Sequence, residues 1–118
     1  HLVSYVEGSL RDEIKWAEIS AALLPPGSVS GAPKSSAIKT INELEGQERG
    51  PYCGLLGWVE NGEALLSLAI RIFWTMGAGV LRFGTGAGIT WGSSPEAEWE
   101  ETQLKARRLI AIANGEIA

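Results

Sequence analysis

The break from Pro25 to Lys34 constrains this chain more than any other stretch. Pro25-Pro26 ends whatever helix precedes it, because proline has no amide proton and clashes with the preceding turn. Gly27-Ser28-Val29-Ser30-Gly31-Ala32-Pro33-Lys34 follows at once. Glycine allows a ligand to approach the backbone closely. Pro33 suits the first turn of a following helix, whose free amides can bind an anion. The stretch reads either as a loop with a helix cap or as an anion cradle, and local spacing leaves both open. It is not a nucleotide P-loop: Pro33 stands directly before Lys34-Ser35, where that motif needs glycine, and no strand-like run feeds it.

The flanking pattern predicts alternating helices and strands. Alternation over residues 1–10 predicts a strand. Ile14 to Leu24 predicts a helix with Ile14, Ala17, Ala21 and Leu24 near one face. A second runs from about Pro33 to Leu44, with Ala37, Ile38, Ile41 and Leu44 aligned, and Gly46 stops it. Arg49-Gly50-Pro51 is turn chemistry. Tyr52 to Val59 and Ala64 to Trp74 are strand-like, and Asn61-Gly62 between them is a hairpin signal. The second of these runs is nearly continuous in apolar residues, which predicts a central strand. Val80 to Phe83 is a further strand, leading into the glycines at 84–88. Ser94, Pro95, Glu96 and Glu98 open a last helix that runs through Leu109 and frays near Gly115. The expected class is α/β (α+β): antiparallel strands with helices packed outside, one segment over 1–118.

Composition narrows the function. At 118 residues the chain forms one domain with a modest core, and its net charge of −4 argues against nucleic acid as a partner. Cys53 is the only cysteine and His1 the only histidine, so neither an internal disulfide nor a zinc site of the usual kind is expected. No apolar run reaches the roughly 18 residues that cross a membrane, and a cytoplasmic location is the default. Opening on His1 and running straight into a strand pattern, the chain is expected to be a piece of a longer protein.

Several residues could carry chemistry. In a continuous strand Arg71 shares a face with Ser67 and Ala69; it either meets an anion, which a guanidinium holds by two parallel hydrogen bonds, or snorkels to solvent. Glu98 and Glu101 share a helix face beside the Trp99, Ala106, Ile110 stripe. Carboxylates with water suit magnesium, while Glu101 with Lys105 is also an ordinary i,i+4 pair. Gly84 to Gly88 lacks the third glycine of a dinucleotide site; it reads as a strand end where a ligand touches backbone, or as a plain connection. Tyr52 could donate its hydroxyl to a carboxylate or be a half-buried aromatic. Cys53 reads as a small core residue. His1 could act as a general acid or base.

Five stretches, in order, resemble the chorismate-utilising enzymes. They are His1-Leu-Val-Ser4 with Val6, Gly8 and Leu10; Gly27 to Lys34; Arg49 to Gly54; Ala69-Ile70-Arg71; and Gly86 to Ile89 with Ser93, Pro95, Glu96, Glu98, Glu101, Thr102 and Lys105. The resemblance implies that the chain is the C-terminal part of such an enzyme. It implies that Tyr52 and Arg71 hold the enolpyruvyl carboxylate of chorismate, Ser30 faces the ring, and Gly86 and Gly88 offer backbone contacts to the ring carboxylate. Glu98 and Glu101 match magnesium ligands, Lys105 a basic position near the site, and His1 the active-site histidine. Ser30, Ser36 and Gly92 stand where threonine, arginine and aspartate are usual.

The Pro51-Tyr-Cys-Gly54 form looks more like aminodeoxychorismate synthase component I, which implies replacement of the C4 hydroxyl by ammonia from a glutamine amidotransferase partner. The alternative is anthranilate synthase component I, which aminates C2 and expels pyruvate. A third reading is a non-catalytic module that pairs its sheet edge with a second copy, forming a homo-oligomer.

Overall fold

Prolines and glycines set the element boundaries in the computed structural model, which describes residues 2–116. Helix α1, Trp16–Leu23, starts where the Lys15 amide donates to Glu18 Oε2 at 3.1 Å, and it stops before Pro25-Pro26. Helix α2, Gly27–Ser30, is a single turn behind Pro26, closed by Ser30 Oγ donating to the Pro26 carbonyl at 2.8 Å. Gly31 then takes φ 113°, and a Cβ there would lie 3.0 Å from that of Ala37, so conformation and space both require glycine. Helix α3, Lys34–Leu44, follows Pro33 and ends at Glu45 and Gly46 (φ 59°). Lys34 Nζ donates back to the carbonyls of Ala22 at 3.1 Å and Leu24 at 3.4 Å. The lysine of the break is therefore a brace that satisfies carbonyls at the C-terminus of α1.

Strands β1, Leu55–Glu60, and β2, Glu63–Leu68, pair antiparallel with Leu55 opposite Leu68 and Glu60 opposite Glu63. Asn61 and Gly62 both take positive φ, 50° and 85°, as the predicted two-residue turn demands. The ladder extends by one step: the Cys53 amide donates to the Ala69 carbonyl and the Ala69 amide to Gly54, each at 2.9 Å. Cys53 and Ala69 are buried there. Strands β3, Phe73–Thr75, and β4, Leu81–Phe83, form a second antiparallel pair, with the Phe73 and Phe83 rings 4.8 Å apart. Helix α4, Pro95–Ala113, is capped by the Ser94 hydroxyl, which accepts from the Ala97 amide. The antiparallel α+β class is present as two hairpins, with the helices outside them in the chain order.

Three expectations are corrected. Residues 2–10 form no strand and are exposed, because alternation needs a neighbouring strand to pair with and none is present among the described residues. The run Ala64 to Trp74 is not one central strand: it breaks after Ala69, where the Ile70 amide bonds the Leu68 carbonyl and Arg71 turns at φ 53°. Each sheet has two strands. Tyr52 and Cys53 belong to a turn, closed by the Tyr52 amide on Arg49 and the Gly54 amide on Pro51, and β1 begins only at Leu55.

The fold is open. Its radius of gyration is 16.9 Å, where a compact chain of this length has about 13.5 Å. Its accessible surface is 9853 Å2, against roughly 6,200 Å2 for a compact monomer of 12.6 kDa. Among the described residues the buried apolar side chains are Cys53, Ala69 and Ala106, while Leu65, Trp91, Trp99 and Leu104 are exposed. No described helix is long and apolar enough to cross a membrane.

Candidate functional site

The site is assembled around Tyr52. The turn that begins at Gly50-Pro51 lifts Tyr52 out of the strand and lays its ring on the backbone after β4. A Cβ at Gly84 would come within 2.5 Å of Tyr52 Cγ, and one at Gly86 within 3.3 Å of its hydroxyl. No side chain fits at Gly84 while the ring stays in place. Burial pushes the Tyr52 phenol above its ordinary pKa, with Cys53 adding to the shift, so it is a protonated donor at neutral pH.

Gly86 connects this ring to α4. Its carbonyl accepts from Lys105 Nζ at 3.2 Å, and the same ammonium pairs with Glu101. Tyr52, Gly86, Lys105 and Glu101 are thus joined in one chain of contacts, though they are far apart in sequence. Glu98, one turn earlier, is half-buried and accepts from Ser93 Oγ at 2.6 Å; Ser93 also accepts from the Thr90 amide. The glycine-rich loop is therefore pinned to the start of α4 through Ser93 and Glu98. Gly88 is exposed, and a Cβ there would meet nothing within 4 Å, so its backbone is open to a ligand.

Arg49 also stands near Tyr52. Its Nε donates to Glu45 Oε2 at 2.8 Å and its Nη2 to Oε1, a bidentate pair at the end of α3. The pair holds the Glu45 carboxyl below its ordinary pKa, the hydrogen bond from Arg49 being the main cause, and raises that of Arg49. The remaining nitrogen, Nη1, lies 3.5 Å from both the Val29 carbonyl and Cys53 Sγ, and the guanidinium carbon is 5.7 Å from the Tyr52 ring centroid.

Two cavities flank this pair. One of about 350 Å3 is walled by Leu24, Ser30, Ile38, Ile41, Arg49 and Tyr52 among others. Another, of about 300 Å3, has Glu48, Arg49, Tyr52, Trp74, Arg82 and Phe83 in its wall.

The sequence-predicted residues are thus partly united. Tyr52, Gly86, Lys105 and Glu101 form the linked set, Glu98 adjoins it through Ser93, and Ser30 shares a cavity wall with Tyr52. Arg71 is exposed and its side chain makes no hydrogen bond or ion pair among the described residues. It leaves the first hairpin at the same end as Tyr52, two residues beyond the Ala69 that pairs with Cys53 and Gly54. The face shared with Ser67 and Ala69 does not exist, since the strand ends at Leu68. His1 lies outside the described residues. Arg49, within the Arg49 to Gly54 stretch, and Gly84, within the glycine run, were given no role of their own. The signal that could have found Arg49 is its spacing four residues after Glu45, which predicts an ion pair on a helix end.

Glu98 and Glu101 fit magnesium by donor type, since that ion accepts one or two carboxylates and keeps several waters. Among the described residues no group of three or more histidine, cysteine or acidic side chains converges on such a position. The two glutamates would supply part of a coordination shell.

Comparison with known proteins decides the family. A profile described as chorismate binding enzyme matches residues 1–111. The chain belongs to the chorismate binding enzyme family. Its relatives include anthranilate synthase component 1 of Neisseria gonorrhoeae, 41% identical over 114 residues that make up 96% of this chain and 23% of that protein. The proteins of the same name from Acinetobacter calcoaceticus and Saccharolobus solfataricus are 42% and 40% identical over 93% and 92% of this chain, and 22% and 26% of their own lengths. The chain spans about a quarter of the length of these curated relatives. Their shared name supports the alternative, anthranilate synthase component I, better than the aminodeoxychorismate branch to which the Pro51-Tyr-Cys-Gly54 form pointed.

Proposed function

We propose that this chain is the C-terminal segment of an anthranilate synthase component I-like enzyme, which binds chorismate, aminates it at C2 and releases pyruvate. The observation that carries the reading is identity of 40–43% with proteins named anthranilate synthase component 1, over nearly all of this chain. The geometry supports it. Tyr52, a protonated donor beside the Gly86 backbone, suits a carboxylate, and Lys105, paired with Glu101, holds the Gly86 carbonyl.

In this reading Tyr52 and Arg71 orient the enolpyruvyl carboxylate, the amides after Gly86 receive the ring carboxylate, and Ser30 faces the ring. His1 would serve as the acid or base that the resemblance implies. Glu98 and Glu101 would hold magnesium, which when bound neutralises the ring carboxylate and eases departure of the hydroxyl. Ammonia comes from a glutamine amidotransferase subunit or domain.

The test is an assay of the full-length protein with chorismate, magnesium and ammonium salt, following products by fluorescence and chromatography. Anthranilate and pyruvate in equal amounts are expected. Accumulation of 4-amino-4-deoxychorismate without pyruvate would return the protein to the other branch, and no consumption of chorismate would end the reading.

A further inference from the structure

We propose that Arg49 is a positioning residue that fixes Tyr52 relative to the Val29-Ser30 turn and thereby sets affinity for chorismate; this rests on the function proposed above. One planar guanidinium meets four residues on three pieces of the fold. Its Nε and Nη2 edge is held by Glu45 at the end of α3. Its Nη1 reaches the Val29 carbonyl in α2, next to Ser30, and the thiol of Cys53, next to Tyr52. Its face stands over the Tyr52 ring at 5.7 Å. The Arg49 side chain is only 25% exposed.

The arrangement separates holding from binding. The two strongest hydrogen bonds of Arg49 are committed to Glu45, so it is not free to grip a substrate carboxylate in the same way. What remains of the group spans the gap between the two stretches that share the larger cavity wall, Ser30 on one side and Tyr52 on the other. Tyr52 also lies against the backbone of Gly84 and Gly86. The ring therefore meets both bare backbone and a guanidinium whose orientation Glu45 dictates. Lysine keeps the charge but lacks the fork and the flat face, and it cannot meet all four partners at once. A small displacement of a substrate-orienting group is enough to lower rate or affinity strongly.

The experiment uses the full-length protein with Arg49→Lys, Glu45→Gln and the double variant, assayed well below their melting temperatures. Two readouts are taken: kcat and KM for chorismate, and the rate at which a thiol reagent labels Cys53, followed on its peptide by mass spectrometry. Arg49→Lys is expected to raise KM at least about tenfold while kcat stays within about threefold, and to speed Cys53 labelling. Glu45→Gln, which leaves Arg49 in place but unclamped, is expected to move both readouts in the same direction by less. The double variant should be no worse than Arg49→Lys, because both act through one group.

Unchanged KM in both single variants, with melting temperature alone reduced, would make Arg49 a structural residue and overturn the proposal. If Arg49→Lys does not fold, Glu45→Gln decides by the same criterion. Wild-type protein that ignores chorismate would overturn the chorismate reading and the affinity claim with it. The labelling rate then decides the clamp alone: faster labelling in the variants upholds it, and wild-type labelling removes it.

Discussion

Arg71 and Glu101 show how differently two site residues can stand in the same fold. Arg71 sits in a left-handed turn, exposed and without a bonded partner among the described residues, so its fork is available to a carboxylate. Arg71→Lys in the full-length enzyme is expected to lower kcat/KM for chorismate by at least about tenfold, ~1.4 kcal/mol; wild-type kinetics would leave Arg71 a solvent-facing turn residue. Glu101 is already paired with Lys105, which itself holds the Gly86 carbonyl. Glu101→Gln is expected to raise the magnesium concentration that gives half-maximal rate, and a titration superimposable on wild type would remove it from the metal's surroundings. The pairing of Glu101 with Lys105 was legible in the sequence, because i,i+4 spacing on one helix predicts it. Arg49 was not legible. Of its four partners, Glu45, Tyr52 and Cys53 lie within four residues of it, and the contact that spans the fold, to the Val29 carbonyl, leaves no pattern in the sequence.

At the level of elements, the strongest local signals were realised and the cooperative ones were not. Ser94-Pro95 opened α4, Asn61-Gly62 turned the first hairpin, and Pro25-Pro26 closed α1, each through a backbone constraint that acts within a few residues. The strand over residues 1–10 and the single run from Ala64 to Trp74 failed, since a strand depends on what lies beside it. The end of α3 offers a test of its own. The Glu45 carboxyl is held below its ordinary pKa by Arg49, so in the window between that lowered value and the usual one near ~4.3 the unfolded chain binds more protons than the folded one. The pair therefore adds stability at neutral pH, and this is lost as pH falls through the folded-state value. Melting temperatures of wild type and Glu45→Gln are expected to differ at pH 7 and to converge in acid. The difference should be modest and shrink with salt, because both side chains are partly exposed. A gap that stays constant from pH 7 to pH 3 would mean that the ion pair is not its source.

For the whole molecule, open packing is the governing fact. A chain with this much exposed apolar surface and four short strands in two separate pairs has a strong tendency to bury that surface against something else. The 118-residue chain alone is expected to self-associate and to show no chorismate turnover with magnesium and ammonium salt. Light scattering and a product assay on the purified chain check both parts. A monodisperse monomer would remove the first, and anthranilate or aminodeoxychorismate formation the second. The incomplete donor set on α4 points the same way, since two glutamates on one helix leave magnesium mostly hydrated.

The bare backbone beneath Tyr52 has a consequence for how this family can diversify. A ring lying on Gly84 has no side chain below it that mutation could enlarge, charge or recolour without ejecting the ring. Under the proposed function, variation in substrate preference would enter through the turn at 50–53, the helix end that carries Glu45, or the open backbone at Gly88. A library built to shift that preference would gain nothing from randomising Gly84 and would concentrate its diversity on the turn and on Gly88.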